Sequence, residues 1–311
     1  NLQSNINVEM TKKIAKFYLV SEPFKSLKFL KNFLHLPNIA ESWMYDNVKG
    51  DIKIEELYAE YDLINNHIIE NSIQGKAQIK DAKIRFHKDV DAVNTKSLDI
   101  FFKDNRLHFN LMEPMFKDKK LDGSFVLINN LTSEKNGQVD VFLKTNSKLD
   151  KDILDILKAY NITLPIIQKN GNTQASLLMK FPYDTTKNMS TYGEFFLNDA
   201  KVAINNFEFE SKNAEVILDD SIIKIKNSDF KYKDMINATL NLNLDIKTLK
   251  SYGDANIKSF LIKEENKESL VEIKDKNTAI DLNFNNEVSI LLKDLGTNIK
   301  IYDLIYVNID D

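Results

Sequence analysis

Apolar and polar residues alternate along most of this chain. In DIKIEELYAEYDL (51–63), Ile52 and Ile54 share one face, followed by Leu57, Ala59, Tyr61 and Leu63. The same period of two runs through Leu107, Phe109 and Leu111, through Phe125, Leu127 and Leu131, and through Val139, Val141 and Leu143. It returns at Ala175, Leu177, Met179 and Phe181, at Val216/Leu218 and Ile223/Ile225, and at Leu240, Leu242 and Leu244. Ile280, Leu282 and Phe284 continue it, and Ile299/Ile301 close it. Strict alternation gives a strand one apolar and one polar face, as in antiparallel sheets. Strand after strand at spacings of roughly 8–15 residues predicts an all-β meander. Two stretches carry a helical period instead. In SEPFKSLKFLKNFLHLP, Ser21 is placed to cap, Pro23 falls in the first turn, and Phe24, Leu27, Leu30 and Leu34 form a stripe. In LDKDILDILKAYNITLP, Asp150 or Asp152 opens a helix whose face holds Ile153, Ile156, Leu157 and Tyr160.

One phrase is written twice. GKAQIKDAKIRF (75–86) and GEFFLNDAKVAI (193–204) both carry apolar residues at odd positions before the aspartate and at even positions after it. A period of two cannot change parity without an extra residue or a tight turn, so each copy predicts a strand, a one-residue offset and a second strand. Each phrase follows a helical stretch, a Leu-Pro (Leu36-Pro37, Leu164-Pro165) and a glycine (Gly50, Gly171). Downstream, FFKDNRLHF matches VILDDSIIKI, and FKDKKLDGSFVL matches FKYKDMINATLNL. The order of features predicts a tandem repeat. An N-terminal helical segment spans 1–48, one β-module 49–148, a connecting helix 149–170 and a second β-module 171–311.

With 311 residues, 43% of them hydrophobic, the chain can bury one large or two ordinary cores. Only 8 glycines and 5 prolines occur, so Asn, Asp and Lys must build the turns, at Lys103-Asp104-Asn105, Lys117-Asp118-Lys119, Asp219-Asp220 and Asn285-Asn286. The net charge of −4 is intermixed, and no basic stripe suits a phosphate backbone, which argues against a nucleic-acid partner. The chain contains no cysteine, so disulfides, thiolate metal sites and cysteine nucleophiles are excluded. No apolar run reaches the roughly 18 residues of a membrane helix. The opening residues 1–5, NLQSN, read as the remnant of a cleaved tag.

Catalytic chemistry finds no support. His35, His67, His87 and His108 have no paired spacing and no carboxylate cluster, and no phosphate loop or nucleophile elbow is present. No metal site, cofactor or catalytic residue is expected. Asp219-Asp220 and Glu264-Glu265 read as turn or surface charge, and the N-x-S/T triplets at Asn130, Asn161, Asn188 and Asn237 as accidents of an Asn-rich chain. Trp43, the only tryptophan, is expected to pack on the end of the sheet. An amphipathic strand array must bury its apolar face, in a sandwich, in a barrel, or in an open curved sheet whose concave face takes a ligand.

The order of helix, Leu-Pro, amphipathic NIAESWMYDNV, Gly50, alternating strands and then G-x-A-x-I-x-x-A-x-I-x-F resembles the AsmA-like proteins of Gram-negative envelopes, with the YhdP-like branch nearest. The similarity covers roughly residues 20–250. It implies a mainly β fold: a curved open antiparallel sheet, forming a U-shaped groove, of two tandem modules with short helices at the module starts. It further implies binding of phospholipid acyl chains, a periplasmic location, a parent protein anchored in the inner membrane, and lipid passage between inner and outer membranes. Envelope proteins are candidate partners, and membrane contact would come through parts of the parent not seen here. The family supplies no catalytic residues. Groove candidates in the first module are Ile79, Ile84, Phe86, Leu98, Ile100, Phe102, Leu107 and Phe109. Those in the second are Leu197, Val202, Ile204, Phe207, Phe209, Val216, Leu218, Ile223 and Ile225. On this reading Ile84 and Val202 face lipid or solvent, and aspartate at either leaves the fold largely intact. The competing reading is a β-sandwich binding or adhesion module recognising protein or glycan at its loops.

Overall fold

The computed structural model describes residues 2–9, 13–28, 31, 36–69, 72–131, 133, 135–160, 162–163, 166–204, 207–263, 269–283, 288–301 and 305–309. The chain is mainly β, with 67% of residues in strands, and every described pairing is antiparallel. It divides into two compact units, residues 1–145 with 177–191, and residues 146–176 with 192–311.

In the first unit the strands are β1 (Leu2–Glu9), β2 (Ile14–Ser21), β3 (Val48–Asp62), β4 (His67–Ile68), β5 (Gln74–Ile84), β6 (Val93–Lys103), β7 (Arg106–Met112), β8 (Met115–Phe116), β9 (Lys119–Lys120), β10 (Phe125–Asn129) and β11 (Gln138–Ser147). They pair in the order β1-β2-β3-β5-β6-β7-β10-β11, with β4 beside β3, β8 beside β6 and β9 beside β8. Helix α1 (Asn38–Tyr45) belongs to this unit and buries Ala40, Trp43 and Tyr45. Helix α2 (Lys151–Ala159) follows, then the long β12 (Ile166–Pro182), which passes from the second unit to the first.

The second unit continues as a meander in chain order: β13 (Ser190–Ile204), β14 (Phe207–Asp219), β15 (Ile222–Tyr232), β16 (Ile236–Asp245), β17 (Lys250–Lys263), β18 (Ser269–Asn283), β19 (Val288–Leu292), β20 (Thr297–Ile301) and β21 (Ile305–Ile309). Among the described residues no pairing joins the first strand of either unit to its last, so neither closes as a barrel. Two α-helices occur among the described residues, α1 and α2.

Turn chemistry follows the Asp/Asn/Lys composition. Asp104 and Asn105 both have positive φ, 51° and 57°, between β6 and β7, the backbone of a type I′ hairpin. Asp220 and Lys117 take the left-handed conformation in their own turns; Asn285-Asn286 lies outside the described residues. The parity change in the doubled phrase has the same origin. Asp81 (φ 48°) in β5 and Asp199 (φ 44°) in β13 are left-handed residues inside strands. Aspartate tolerates that conformation better than β-branched residues do. Between β3 and β5 the register shifts at this point, Lys49 facing Lys83 while Asp51 faces Lys80, which is a β-bulge. The two preceding glycines meet the two bulges. A Cβ on Gly50 (φ 155°) would lie 2.7 Å from the Lys80 carbonyl oxygen, and one on Gly171 (φ 82°) 2.4 Å from that of Asp199.

The helix expected from Ser21 is corrected. Ser21 ends β2, its hydroxyl accepting the Ile54 N–H at 2.9 Å, and Phe24 exchanges two backbone hydrogen bonds of 2.8 Å with Ile52. Pairing to β3 holds this segment extended against its local period; Leu30 and Leu34 lie outside the described residues. The span 1–48 is thus not wholly helical: it opens with the β1–β2 hairpin, and residues 2–5, read as a tag remnant, pair with 18–21. The helix in this region is α1, formed by the amphipathic NIAESWMY. Helix α2 starts where the cap predicted it. The Asp150 carboxylate accepts the N–H groups of Asp152 and Ile153, and Leu157 and Tyr160 are buried. Leu164-Pro165 lies outside the described residues.

Candidate functional site

Inward parity in the second unit builds a single apolar trough. One part is lined by Leu149, Leu157 of α2 and Ile166, then by Phe195, Leu197 and Val202 of β13, Phe209, Val216 and Leu218 of β14, Ile223, Ile225 and Phe230 of β15, and Leu240, Leu242 and Leu244 of β16. It holds about 1230 Å3 of free space, including its opening to solvent. A further stretch of about 1040 Å3 runs over Ile236, Ala238, Ile257, Phe260, Ile280, Leu282, Ile290, Leu292 and Ile299. The two share Phe209, Ile225, Phe230, Leu240 and Leu242, so they are continuous. From β13 to β20 the trough crosses seven strand intervals, roughly 34 Å at a strand spacing of about 4.8 Å.

The walls are nearly free of charge. Among the described residues Asp229 is the charged one in the lining, and it pairs with Lys258 at 3.6 Å. Charges collect instead on the outward parity, where cross-strand pairs link Lys201 to Glu208 at 2.9 Å and Lys226 to Glu215 at 3.5 Å. The Glu208 carboxyl is held below its usual range by the hydrogen bond and charge of Lys201. These partly exposed pairs mark which face is out more than they stabilise it.

Hydroxyl groups appear at inward positions near the bulges. Thr173 donates to the Gln168 side chain at 2.6 Å; Ser228 donates to the Lys226 carbonyl at 3.0 Å and accepts the Glu215 N–H at 3.2 Å. Ser211 and Ser251 also line the trough, 6% and 4% exposed, and among the described residues neither hydroxyl has a hydrogen-bond partner.

The first unit holds a smaller apolar space, about 660 Å3, lined by Leu27, Met44, Val48, Ile52, Ile54, Leu57, Ala77, Ile79, Ile100, Phe102, Leu107 and Phe109, with Glu56 and Lys76 among the lining residues. Helix α1 packs here. The Trp43 ring meets Phe86 edge-on at 5.6 Å and Phe109 at 6.4 Å, the packing role expected of it. Burial and then the nearby Glu41 push the Tyr45 phenol up to about 12.

Of the first-module candidates, the structure brings Ile79, Ile100, Phe102, Leu107 and Phe109 to this space. Leu98 and Ile84 are 0% and 1% exposed, and Phe86 packs under Trp43. Of the second-module candidates, Leu197, Val202, Phe209, Val216, Leu218, Ile223 and Ile225 line the trough. Ile204 and Phe207 face each other across β13 and β14, and their side chains lie outside the described residues. The expectation that Ile84 and Val202 face lipid or solvent is corrected in part: Val202 does line the trough, Ile84 lines neither apolar space, and neither is open to solvent. Ile84 sits opposite Val48, and Val202, opposite Phe209, is 4% exposed. At so low an exposure a carboxylate at either site would be buried rather than hydrated.

The β16–β20 part of the trough lies beyond the groove candidates, which end at Ile225, although it carries the same alternation. Those candidates also leave out Ser211 and Ser251. The available signal was a serine at inward parity, as in Phe207, Phe209, Ser211.

The family described as YhdP protein matches residues 35–293. The chain belongs to the YhdP protein family. That match covers α1, both doubled phrases and the trough through β19, and it agrees with an AsmA-like open sheet. Comparison with curated proteins and with solved structures gives no match.

Proposed function

We propose that this chain binds the acyl chains of phospholipid in its apolar trough without catalysing a reaction, as a periplasmic part of an envelope protein that passes lipid between inner and outer membranes. The observation that carries the reading is the continuous, almost uncharged trough of the second unit. Its length of roughly 34 Å is close to the roughly 30 Å hydrocarbon thickness of a bilayer, which is two acyl chains end to end. Each methylene moved from water onto such a wall gains about 0.8 kcal/mol, so affinity needs no specific polar contact. Membership of the YhdP family supports the envelope setting and the inner-membrane anchoring of the parent protein. The open apolar face also argues for a ligand over loop-mediated recognition of protein or glycan.

The test places charge on the wall where the wall is only half buried. Leu240 and Ile225 are such positions, and Tyr252 is an exposed one. Leu240→Asp and Ile225→Asp are expected to lower binding of a fluorescent phospholipid at least tenfold while the protein remains folded. Tyr252→Asp is expected to leave binding unchanged. Native mass spectrometry of the unmodified protein should show bound phospholipid. Its absence there, with no uptake of the fluorescent lipid, overturns the proposal.

A further inference from the structure

Ten serines and threonines are buried among the described residues: Ser21, Thr95, Ser124, Thr173, Thr191, Ser211, Ser228, Ser251, Thr278 and Thr297. Eight have partners. Thr95, for example, donates to the carbonyls of Ser97 and Met112, and Thr278 accepts the Asp294 N–H. The two that lack one, Ser211 and Ser251, both line the same trough. An unsatisfied buried hydroxyl is costly, and native proteins seldom keep one without a use.

We infer that Ser211 and Ser251 are hydrogen-bond donors to the ester carbonyls of a diacyl lipid, marking two resting stations along the trough. The inference rests on the lipid-binding reading above and adds what the trough recognises beyond hydrocarbon. The chemistry selects the group. A neutral O–H set among apolar side chains matches a neutral carbonyl oxygen. A phosphate would require cations or several converging donors, and among the described residues the one charged lining residue is the carboxylate Asp229. The ester is the polar group of a glycerolipid that lies next to the acyl chains and must enter the trough with them. The stations are separate. Ser211 lies on β14 and Ser251 on β17, three strand intervals or roughly 14 Å apart across the sheet, and the register offsets them along the strands as well, since Glu210 is level with Ser259 of β17. Adjacent esters of one lipid cannot reach both, so the two hydroxyls serve successive positions.

The test compares ester and ether lipids of equal chain length. Dipalmitoyl and dihexadecyl phosphatidylethanolamine compete for the protein, and native mass spectrometry reads the bound ratio. The unmodified protein is expected to favour the ester lipid roughly two- to tenfold, the range of one buried hydrogen bond. Ser211→Ala and Ser251→Ala are each expected to reduce that preference, and the double variant to abolish it while binding both lipids. Neither change should lower the melting temperature, because no protein partner is lost. Equal binding of both lipids by the unmodified protein, with water satisfying the hydroxyls, overturns the inference and leaves the lipid-binding reading standing. A preference that survives in the double variant also overturns it. Binding of neither lipid overturns both.

Discussion

Asp81 and Asp199 show how one residue can set a whole face. Each sits in the left-handed region inside a strand, and each switches its strand's inward parity from odd to even. Without the switch, Val202 and Ala200 would turn outward and their polar neighbours inward. The glycines that meet these bulges are constrained both by conformation and by space. Gly171→Ala is expected to destabilise the protein by about 1–3 kcal/mol in urea denaturation, since its Cβ would overlap the Asp199 carbonyl at a positive φ. Asp199→Gly, which keeps the backbone free to be left-handed, is expected to cost under about 1 kcal/mol. His108 gives a pH-dependent case. It packs edge-on against Phe125 at 5.4 Å, and burial holds its imidazole below the ordinary value of 6.5. As pH falls through that value, the unfolded chain takes up a proton that the folded chain still refuses, so stability declines with falling pH. Denaturation curves between about pH 7 and pH 5 should show this loss, and His108→Gln should flatten it.

Elements were legible where a local signal and the tertiary fold agreed. Helix α2 is one: Asp150 caps it, and Leu157 and Tyr160 mark its buried side. Asp150→Ala is expected to cost about 1 kcal/mol; amide exchange should rise first at Asp152 and Ile153, the groups it caps. The hairpins were legible too, because left-handed Asp and Asn are written into their turns. The segment after Ser21 was not legible. Its stripe of Phe24 and Leu27 has a helical period, yet Phe24 finds its partner in Ile52, far along the chain, and a pairing of that kind leaves no mark in local periodicity. For the site, inward parity identified most of the wall residues but not how deeply each is buried. Depth depends on tertiary packing that the local pattern does not carry, as Ile84 and Val202, 1% and 4% exposed, show. Trp43 illustrates the same point from the helix side. It joins α1 to Phe86 and Phe109, and Trp43→Ala is expected to destabilise the first unit by about 3–5 kcal/mol, read by chemical denaturation.

Across the whole molecule, a repeat written in the sequence as two modules becomes, in the second unit, nine consecutive strands with one uninterrupted apolar wall from β13 to β20. The second module, 171–311, spans that wall, but its groove candidates end at Ile225, because β16–β20 carry the alternation without the doubled phrase. In this unit each strand pairs with the next in the chain, and two to five residues separate successive strands. A β-structure ordinarily folds slowly because its strands meet across long stretches of chain, each meeting requiring a large loop to close. Here every closure is short. Stability should therefore behave as a sum of strand and neighbour terms, as in solenoids, and order should spread by zippering from any stable hairpin. Hydrogen exchange on the intact chain should then show protection graded strand by strand, highest around the core of β16–β18 and declining toward β21, instead of a single cooperative block.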